Sequence, residues 1–253
     1  MYQIGNCVTC SISIQYINLS LCMKHHNANH STLESMSQSL WYNRWTLSKF
    51  IPYLSGNILE VGCGFGSFTG ILLRYGSVWA IDIDKFCITK TKKNCPSPSH
   101  IGYGNIETGK YFFRKHTFDS IVCMNVLEHI KNDEKALSNM YSILNSRGFL
   151  ILLVPSHPKL FGSIDKSIGH FRRYSQHELI NKVSDCGFSI IHTRRLNFLG
   201  AIGWWFAAKI LNNTTVQEEK LHVFNSLAPL LLPLEDVIEP PIGTSILLIA
   251  QKI

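Results

Sequence analysis

This sequence predicts an α/β fold: one mostly parallel sheet of seven strands with helices on both faces. Three observations carry that expectation. Short apolar runs alternate with helix-period segments from about residue 57 onward, and parallel strands need such crossover helices. The first apolar run, Ile58-Leu-Glu60-Val, feeds a glycine-paved turn, Gly62-Cys-Gly64-Phe-Gly66, a device that brings backbone close to a nucleotide-like ligand. Finally, 253 residues that are 45% hydrophobic can bury one sizeable core, so residues 35–253 are expected to form a single domain.

Taken in order, Ser35 to Phe50 sets Met36, Leu40, Trp41, Trp45 and Leu47 at helical spacing ahead of Pro52. This predicts a helix over the entrance to the first strand, placed to lid the pocket. After the glycine turn, Phe68 to Tyr75 reads as a helix, Ser77 to Ile81 as the second strand, Lys85 to Asn94 as a helix and His100 to Gly104 as the third strand. Phe118 to Met124 is a fourth, apolar strand. Asp133 to Leu144 repeats apolar residues at Leu137, Met140, Tyr141 and Leu144, the period of a helix. Phe149 to Val154 is a fifth strand stopped by Pro155. Ser175-x-x-Glu178 is a capping box whose helix ends at Gly187, and a sixth strand runs from Phe188 toward Asn197. Ser245 to Gln251 closes the sheet as a seventh.

Two segments stand outside this alternation. Residues 1–34 read as an extension, either a disordered tail or sequence upstream of a true start at Met23 or Met36. Its Cys7-x-x-Cys10 and Cys22-x-x-His25 could furnish four zinc ligands, but nothing downstream needs them and no metal is expected in the domain itself. Residues 198–241 are an apolar insertion with Trp204, Trp205 and Leu227-Ala-Pro-Leu-Leu-Leu-Pro. No run there reaches the roughly 20 residues needed to cross a bilayer, which leaves packing over the pocket mouth or docking on a membrane surface or apolar substrate.

The net charge of +7 suits phosphate-bearing partners or an anionic surface. The basic residues fall in short clusters such as Lys90-Thr-Lys92-Lys93, which read as solvated faces, so no nucleic-acid partner is expected. Cysteines lie inside strands and the turn, as Cys123 and Cys63 do, which reads as free thiols in a reducing compartment and a cytoplasmic location.

The turn itself is ambiguous, because dinucleotide enzymes use the same device. Two details disfavour a nicotinamide cofactor: Ser67 stands where that fingerprint wants its third glycine, and the acidic Glu60 precedes the first. Asp82 ends the second strand, where a carboxylate can accept both ribose hydroxyls; Asp84 competes for that role but is better placed to cap the next helix.

These residues resemble the class I S-adenosylmethionine-dependent methyltransferases, especially the small-molecule branch. Leu59-Glu60-Val-Gly62-Cys-Gly64-Phe-Gly66 is similar to the family's first motif, Ala80-Ile-Asp82 to its second-strand acid, Phe118-Asp119-Ser-Ile-Val-Cys-Met-Asn125-Val126-Leu127-Glu128-His129-Ile130 to its fourth-strand motif, and Leu144-Asn-Ser-Arg-Gly148 to its fifth-strand entry. The resemblance implies a Rossmann-like sheet with an antiparallel last strand and S-adenosyl-L-methionine as cofactor. It implies that Glu60, Gly62, Cys63, Gly64, Phe65 and Gly66 hold the methionine part, that Asp82 with Ile83 takes the ribose, that Asn105 and Ile106 flank the adenine, and that Asn125 and Val126 line the sulfonium side. An aspartate often stands where this chain has Asn105.

On the acceptor side, the long stretch between Val154 and Ser175 is rich in His, Arg, Asp and Tyr and too long for a connector. Gly169-His170-Phe-Arg172-Arg173-Tyr174 looks like the Gly-His-x-Arg-Arg-Tyr loop of methyltransferases encoded among glycan and cell-envelope genes. His170 is the first candidate base, with His157 and Tyr174 behind it; a capping or backbone-bonding role for His170 stands beside that reading. Arg172 and Arg173 could clamp a phosphate or carboxylate, at least one of them being expected to pair with an acid such as Asp165. Glu128 is a candidate for the site's rim and Trp204 for substrate contact. Val-Leu-Glu after Asn125, in place of Pro-Pro-Tyr, disfavours adenine or glutamine N-methylation.

The expected activity is therefore methyl transfer to a small molecule or a glycan- or lipid-linked intermediate. A quinone-pathway methyltransferase, a non-catalytic cofactor binder and an NAD-dependent dehydrogenase are the alternatives.

Overall fold

The computed structural model describes residues 39–95, 100–198 and 226–253. The 1–34 extension and Trp204 lie outside them. Eight strands form one sheet: β1 (Asn57–Val61), β2 (Ser77–Asp82), β3 (His100–Asn105), β4 (Lys110–Tyr111), β5 (Phe118–Met124), β6 (Leu144–Pro155), β7 (Phe188–Leu196) and β8 (Ser245–Lys252). Their order is β4-β3-β2-β1-β5-β6-β8-β7. From β3 to β6 every pairing is parallel, whereas β8 runs antiparallel to both β6 and β7. The antiparallel last strand is as expected, wedged between its two predecessors.

The eighth strand is β4, which the sequence reading left out. It is two residues long and pairs antiparallel with β3 through Gly104–Tyr111 and Asn105–Lys110. Too short for any alternation to show, it exists because the turn before it is self-closing: Gly109 N donates to Asn105 O at 3.0 Å, and Thr108 N to Asn105 Oδ1 at 3.0 Å.

The helices are α1 (Leu40–Ser48), α2 (Thr69–Leu72), α3 (Lys85–Asn94), α4 (Asp133–Ile143), α5 (Ser163–Ser167), α6 (Gln176–Asp185) and α7 (Leu234–Val237). Asp84 caps α3 by accepting from Phe86 N, Asn132 caps α4, and Ser175 caps α6 by accepting from Glu178 N. The cap role foreseen for Asp84 is thus filled, which leaves Asp82 to the site.

Strand alternation sorts the core into two faces. Leu150, Leu152 and Val154 of β6, with Ile246, Leu248 and Ala250 of β8, point toward α4 and α6, where Leu137, Met140, Leu179 and Val183 bury themselves. Ile151 and Leu153, with Leu247 and Ile249, point the other way, onto Trp45, Leu47 and Phe50. Residues 149–154 of β6 and 246–250 of β8 are therefore apolar without a break, since both faces are covered there. The segment at α1 is accordingly a core element: Trp45, Leu47 and Phe50 are buried against Ile58, Leu72 and Val122.

Candidate cofactor and acceptor site

The glycine turn sits where β1 ends, between β2 and β5. Gly62, Gly64 and Gly66 all have positive φ, at 75°, 51° and 84°, a region that costs glycine little. The turn is pinned from below: Gly62 N and Cys63 N both donate to Ile81 O, at 2.8 and 3.1 Å, and Gly66 N donates to Cys63 O at 2.9 Å. A Cβ at Gly62 would come within 2.3 Å of Val126 Cγ2. The demand for glycine there comes from Val126 across the turn as well as from any ligand above it.

Helix α3 props the turn from the side. Thr91 Oγ1 donates to Gly64 O at 2.7 Å, and Asn94 Nδ2 to Phe65 O at 2.8 Å. These residues were missed in the sequence, where Thr91 and Asn94 look like ordinary polar positions of a helix. Thr69 was missed as well: its hydroxyl donates to Glu60 Oε2 in a short hydrogen bond.

Two carboxylates face this turn. Glu60 is buried, and burial pushes its carboxyl up to about 8, with the Asp82 charge adding to the rise against the Thr69 hydroxyl. Burial also raises Asp82, against backbone N–H groups that hold it down: Gly64 N donates to its Oδ2 at 3.0 Å and Asp84 N to its Oδ1 at 2.9 Å. Among the described residues, no lysine or arginine stands among the main causes of either shift. Next to Asp82, Ile83 lies 66% exposed, an apolar surface beside the acid. Ile106 is buried, and the oxygen of the Asn105 amide is engaged by Thr108 N.

Across the cleft, β5 ends at Asn125, whose φ is 53° and whose N–H donates to Leu153 O at 2.8 Å. A 3₁₀ turn, Leu127–His129, follows. The Val154–Ser175 stretch folds back onto it as a tied structure: Phe171 N donates to Glu128 O at 2.8 Å, Tyr174 N to Pro155 O at 2.9 Å, and Ser156 bridges to Tyr174. Asp165 is its hub, accepting from Gly162 N at 2.9 Å and Arg173 Nε at 2.8 Å and contacting His170 Nδ1 at 2.9 Å. Those partners hold its carboxyl below the usual range despite burial.

The candidate acceptor residues separate accordingly. Arg173 pairs with Asp165 as the sequence suggested, and Arg172 pairs with Asp133 at 2.7 Å, so both guanidinium groups tie the loop. Tyr174 is fully buried and its hydroxyl donates to Asp133 Oδ2 at 2.9 Å, with burial raising its pKa far beyond a base's useful range. In this structure the phenol ties the loop to Asp133. His157 takes a left-handed conformation at φ 60° and heads the 3₁₀ turn Pro158–Leu160.

His170, by contrast, is brought to Glu128: Nε2 lies 3.8 Å from Oε1. Glu128 is completely buried, neither carboxylate oxygen has a hydrogen-bond partner among the described residues, and burial pushes it up to about 8. His129 packs edge-on to His170 with ring centroids 4.6 Å apart, and burial with the neighbouring His170 lowers it to about 4.

With this geometry in place, comparison with known proteins is informative. Residues 59–152 match the family described as "Methyltransferase domain". This chain is therefore similar, over residues 59–152, to a methyltransferase domain. Its matched span runs from the glycine turn to the middle of β6, so it includes both carboxylates and the Leu127–His129 turn.

A protein of uncharacterised activity from Methanocaldococcus jannaschii is 28% identical over 159 residues, 62% of this chain and 65% of the relative. The mitochondrial ubiquinone biosynthesis O-methyltransferase of Schizosaccharomyces pombe is 29% identical over 102 residues, 38% of this chain and 36% of that enzyme. The matches thus span less than two thirds of these relatives. Among solved structures, the N-methyltransferase NodS of Bradyrhizobium japonicum, in complex with S-adenosyl-L-homocysteine, shares the fold at TM-score 0.54 and 16% identity, over 92% of this chain and 97% of NodS. An S-adenosylmethionine-dependent methyltransferase of Mesorhizobium loti does so at TM-score 0.57 and 14% identity, over 82% and 96%.

Proposed function

We propose that this chain transfers a methyl group from S-adenosylmethionine to a small hydroxylated or carbon acceptor, free or linked to a glycan or lipid. The observation that carries the reading is the pair Glu60 and Asp82, two acids raised by burial and without a basic partner among the described residues, beside a left-handed glycine turn. A ligand bearing an ammonium and a sulfonium supplies the missing positive charge, and its ribose hydroxyls suit Asp82. A pyrophosphate would meet these acids with like charge, which disfavours the dehydrogenase alternative. Ile83 offers the adenine an apolar face, and Val126, packed on Gly62, stands between the donor and acceptor halves of the cleft.

Methyl transfer is an in-line displacement in which the protein mainly supplies alignment and exclusion of water. Glu128 and His170, meeting at the end of β5, are the acceptor-side groups; the fully ordered ties around Asp165 favour a catalytic protein over a mere cofactor carrier. The similarity to the fission-yeast ubiquinone O-methyltransferase favours a second reading, a quinone-type acceptor. Exposed Leu230, Leu234, Val237 and Ile238 would suit such an apolar molecule or the surface that holds it. None of the helices among the described residues is long and apolar enough to cross a membrane.

Calorimetry with S-adenosylmethionine, S-adenosylhomocysteine and NAD tests the reading. Tight binding of the first two is expected, abolished in Asp82→Ala and retained in His170→Ala; preferential binding of NAD overturns it. A metabolite screen with labelled methyl donor then identifies the acceptor.

A further inference from the structure

Glu128, His129 and His170 are left over by the donor site, and their chemistry differs from it. One ligating atom from each lies within 4.8 Å of the others. Ligands held about 2.1 Å from a tetrahedral ion stand about 3.4 Å apart, so an ion would draw this trio in by roughly an ångström. We propose that these three side chains bind a divalent transition-metal ion of the zinc class at the end of β5.

Four features of the structure support it. Glu128 is completely buried with both oxygens unpartnered among the described residues, an expensive state for a carboxylate unless something positive is meant to meet it. His170 is oriented by Asp165 at its Nδ1, 2.9 Å away, which turns Nε2 toward Glu128; a carboxylate behind a histidine is the usual support of a metal ligand. Arg173 in turn holds Asp165 at 2.8 Å, so the support is itself fixed. His129 is held beside His170, its ring packed edge-on to that of His170 with centroids 4.6 Å apart.

The donor set selects the ion. Two imidazoles and one carboxylate suit zinc, cobalt, iron or manganese and disfavour calcium and magnesium, which want oxygen ligands. Three protein ligands also leave a coordination position open. An acceptor hydroxyl in that position would lose its proton more readily, with His170 serving as ligand and not as proton acceptor. That use of the ion rests on the methyltransferase reading; the binding itself is measured with neither donor nor acceptor present.

The test is a titration of the chelator-stripped full chain with Co²⁺, followed by absorption and equilibrium dialysis. It is run in a Cys7→Ser/Cys10→Ser/Cys22→Ser background, so that the thiols of the extension do not contribute. One ion per chain is expected, with visible bands free of thiolate charge transfer. Binding should fall at least 100-fold in each of Glu128→Gln, His129→Gln and His170→Gln, and about 10- to 100-fold in Asp165→Asn, which alters only the support of a ligand. Glu128→Gln replaces a buried carboxyl group that makes no hydrogen bond among the described residues by an amide of the same shape, so the ion-free variant should unfold at close to the parent's temperature; lost binding in it is then not lost folding. Absence of stoichiometric binding, or binding that survives the three ligand substitutions, overturns the proposal.

Discussion

Glu60 offers the sharpest quantitative test of the donor site. Its carboxyl is raised from 4.5 to about 8, and each pKa unit corresponds to about 1.4 kcal/mol between protonation states. The folded chain therefore holds this proton more tightly than the unfolded chain does. The sign follows from linkage: the contribution is fully present below about 4.5, is lost as pH rises through the window up to about 8, and is flat above it. The loss across that window is about 5 kcal/mol at most, and water penetration on unfolding or partial opening reduces it to a few. If the ammonium of S-adenosylmethionine pairs with ionised Glu60, binding must expel this proton. Calorimetry in buffers of different ionisation enthalpy should show about one proton released per ligand at pH 6.5, and affinity should rise by up to tenfold per pH unit between about 5.5 and 7.5. Glu60→Gln should abolish the proton release, weaken binding, and raise ligand-free stability at pH 7.5 by about 1–3 kcal/mol in denaturant titration. Affinity that is flat with pH, or a Glu60→Gln variant that binds as the parent does, would refute the reasoning.

Two further perturbations probe the scaffold. Gly62→Ala puts a Cβ 2.3 Å from Val126 Cγ2 at a φ of 75°, and should cost about 2–4 kcal/mol in denaturant titration along with most donor binding. Adding Val126→Ala should recover part of the stability but not the part due to the backbone angle; full recovery would show that packing alone demands glycine. Tyr174→Phe removes the hydroxyl that Asp133 accepts at 2.9 Å, and thermal unfolding should report a loss of about 1–2 kcal/mol. Donor affinity should be unchanged, and a loss of turnover out of proportion to stability would return the phenol to the list of reacting groups.

The sheet was largely legible because its strands are buried on both faces. Residues 121–124 of β5 and 149–154 of β6 read as unbroken apolar runs, and α3 and α6 carry their caps, Asp84 and Ser175, immediately before the first turn. What escaped was short or context-dependent. β4 is held by an Asn105-centred turn and by pairing with β3, neither of which leaves a period in two residues. α2 is a single turn, Thr69–Leu72, shorter than the Phe68–Tyr75 segment its composition suggests. Backbone bonds such as Tyr75 N to Leu72 O close the rest as turns.

For the site, the division has a different cause. Groups that must be particular residue types for local reasons were visible: the glycines, because φ is positive, and Asp82, because it ends a strand beside the turn. Groups that matter through what the chain brings to them were not. Glu128 and His129 adjoin in sequence and look like a polar rim. Only the return of the 155–174 segment, tied by Phe171 N to Glu128 O and by Tyr174 N to Pro155 O, sets His170 against them. The arginines that looked most like substrate ligands turn out to be what fixes that return: Arg173 on Asp165 and Arg172 on Asp133. Basic residues next to a functional histidine are thus as readily its scaffolding as its substrate contacts, and burial decides between the two. Arg173 is 7% exposed and its Nε is bonded to Asp165, the acid that also contacts His170 Nδ1, which leaves little of the guanidinium open to a substrate anion.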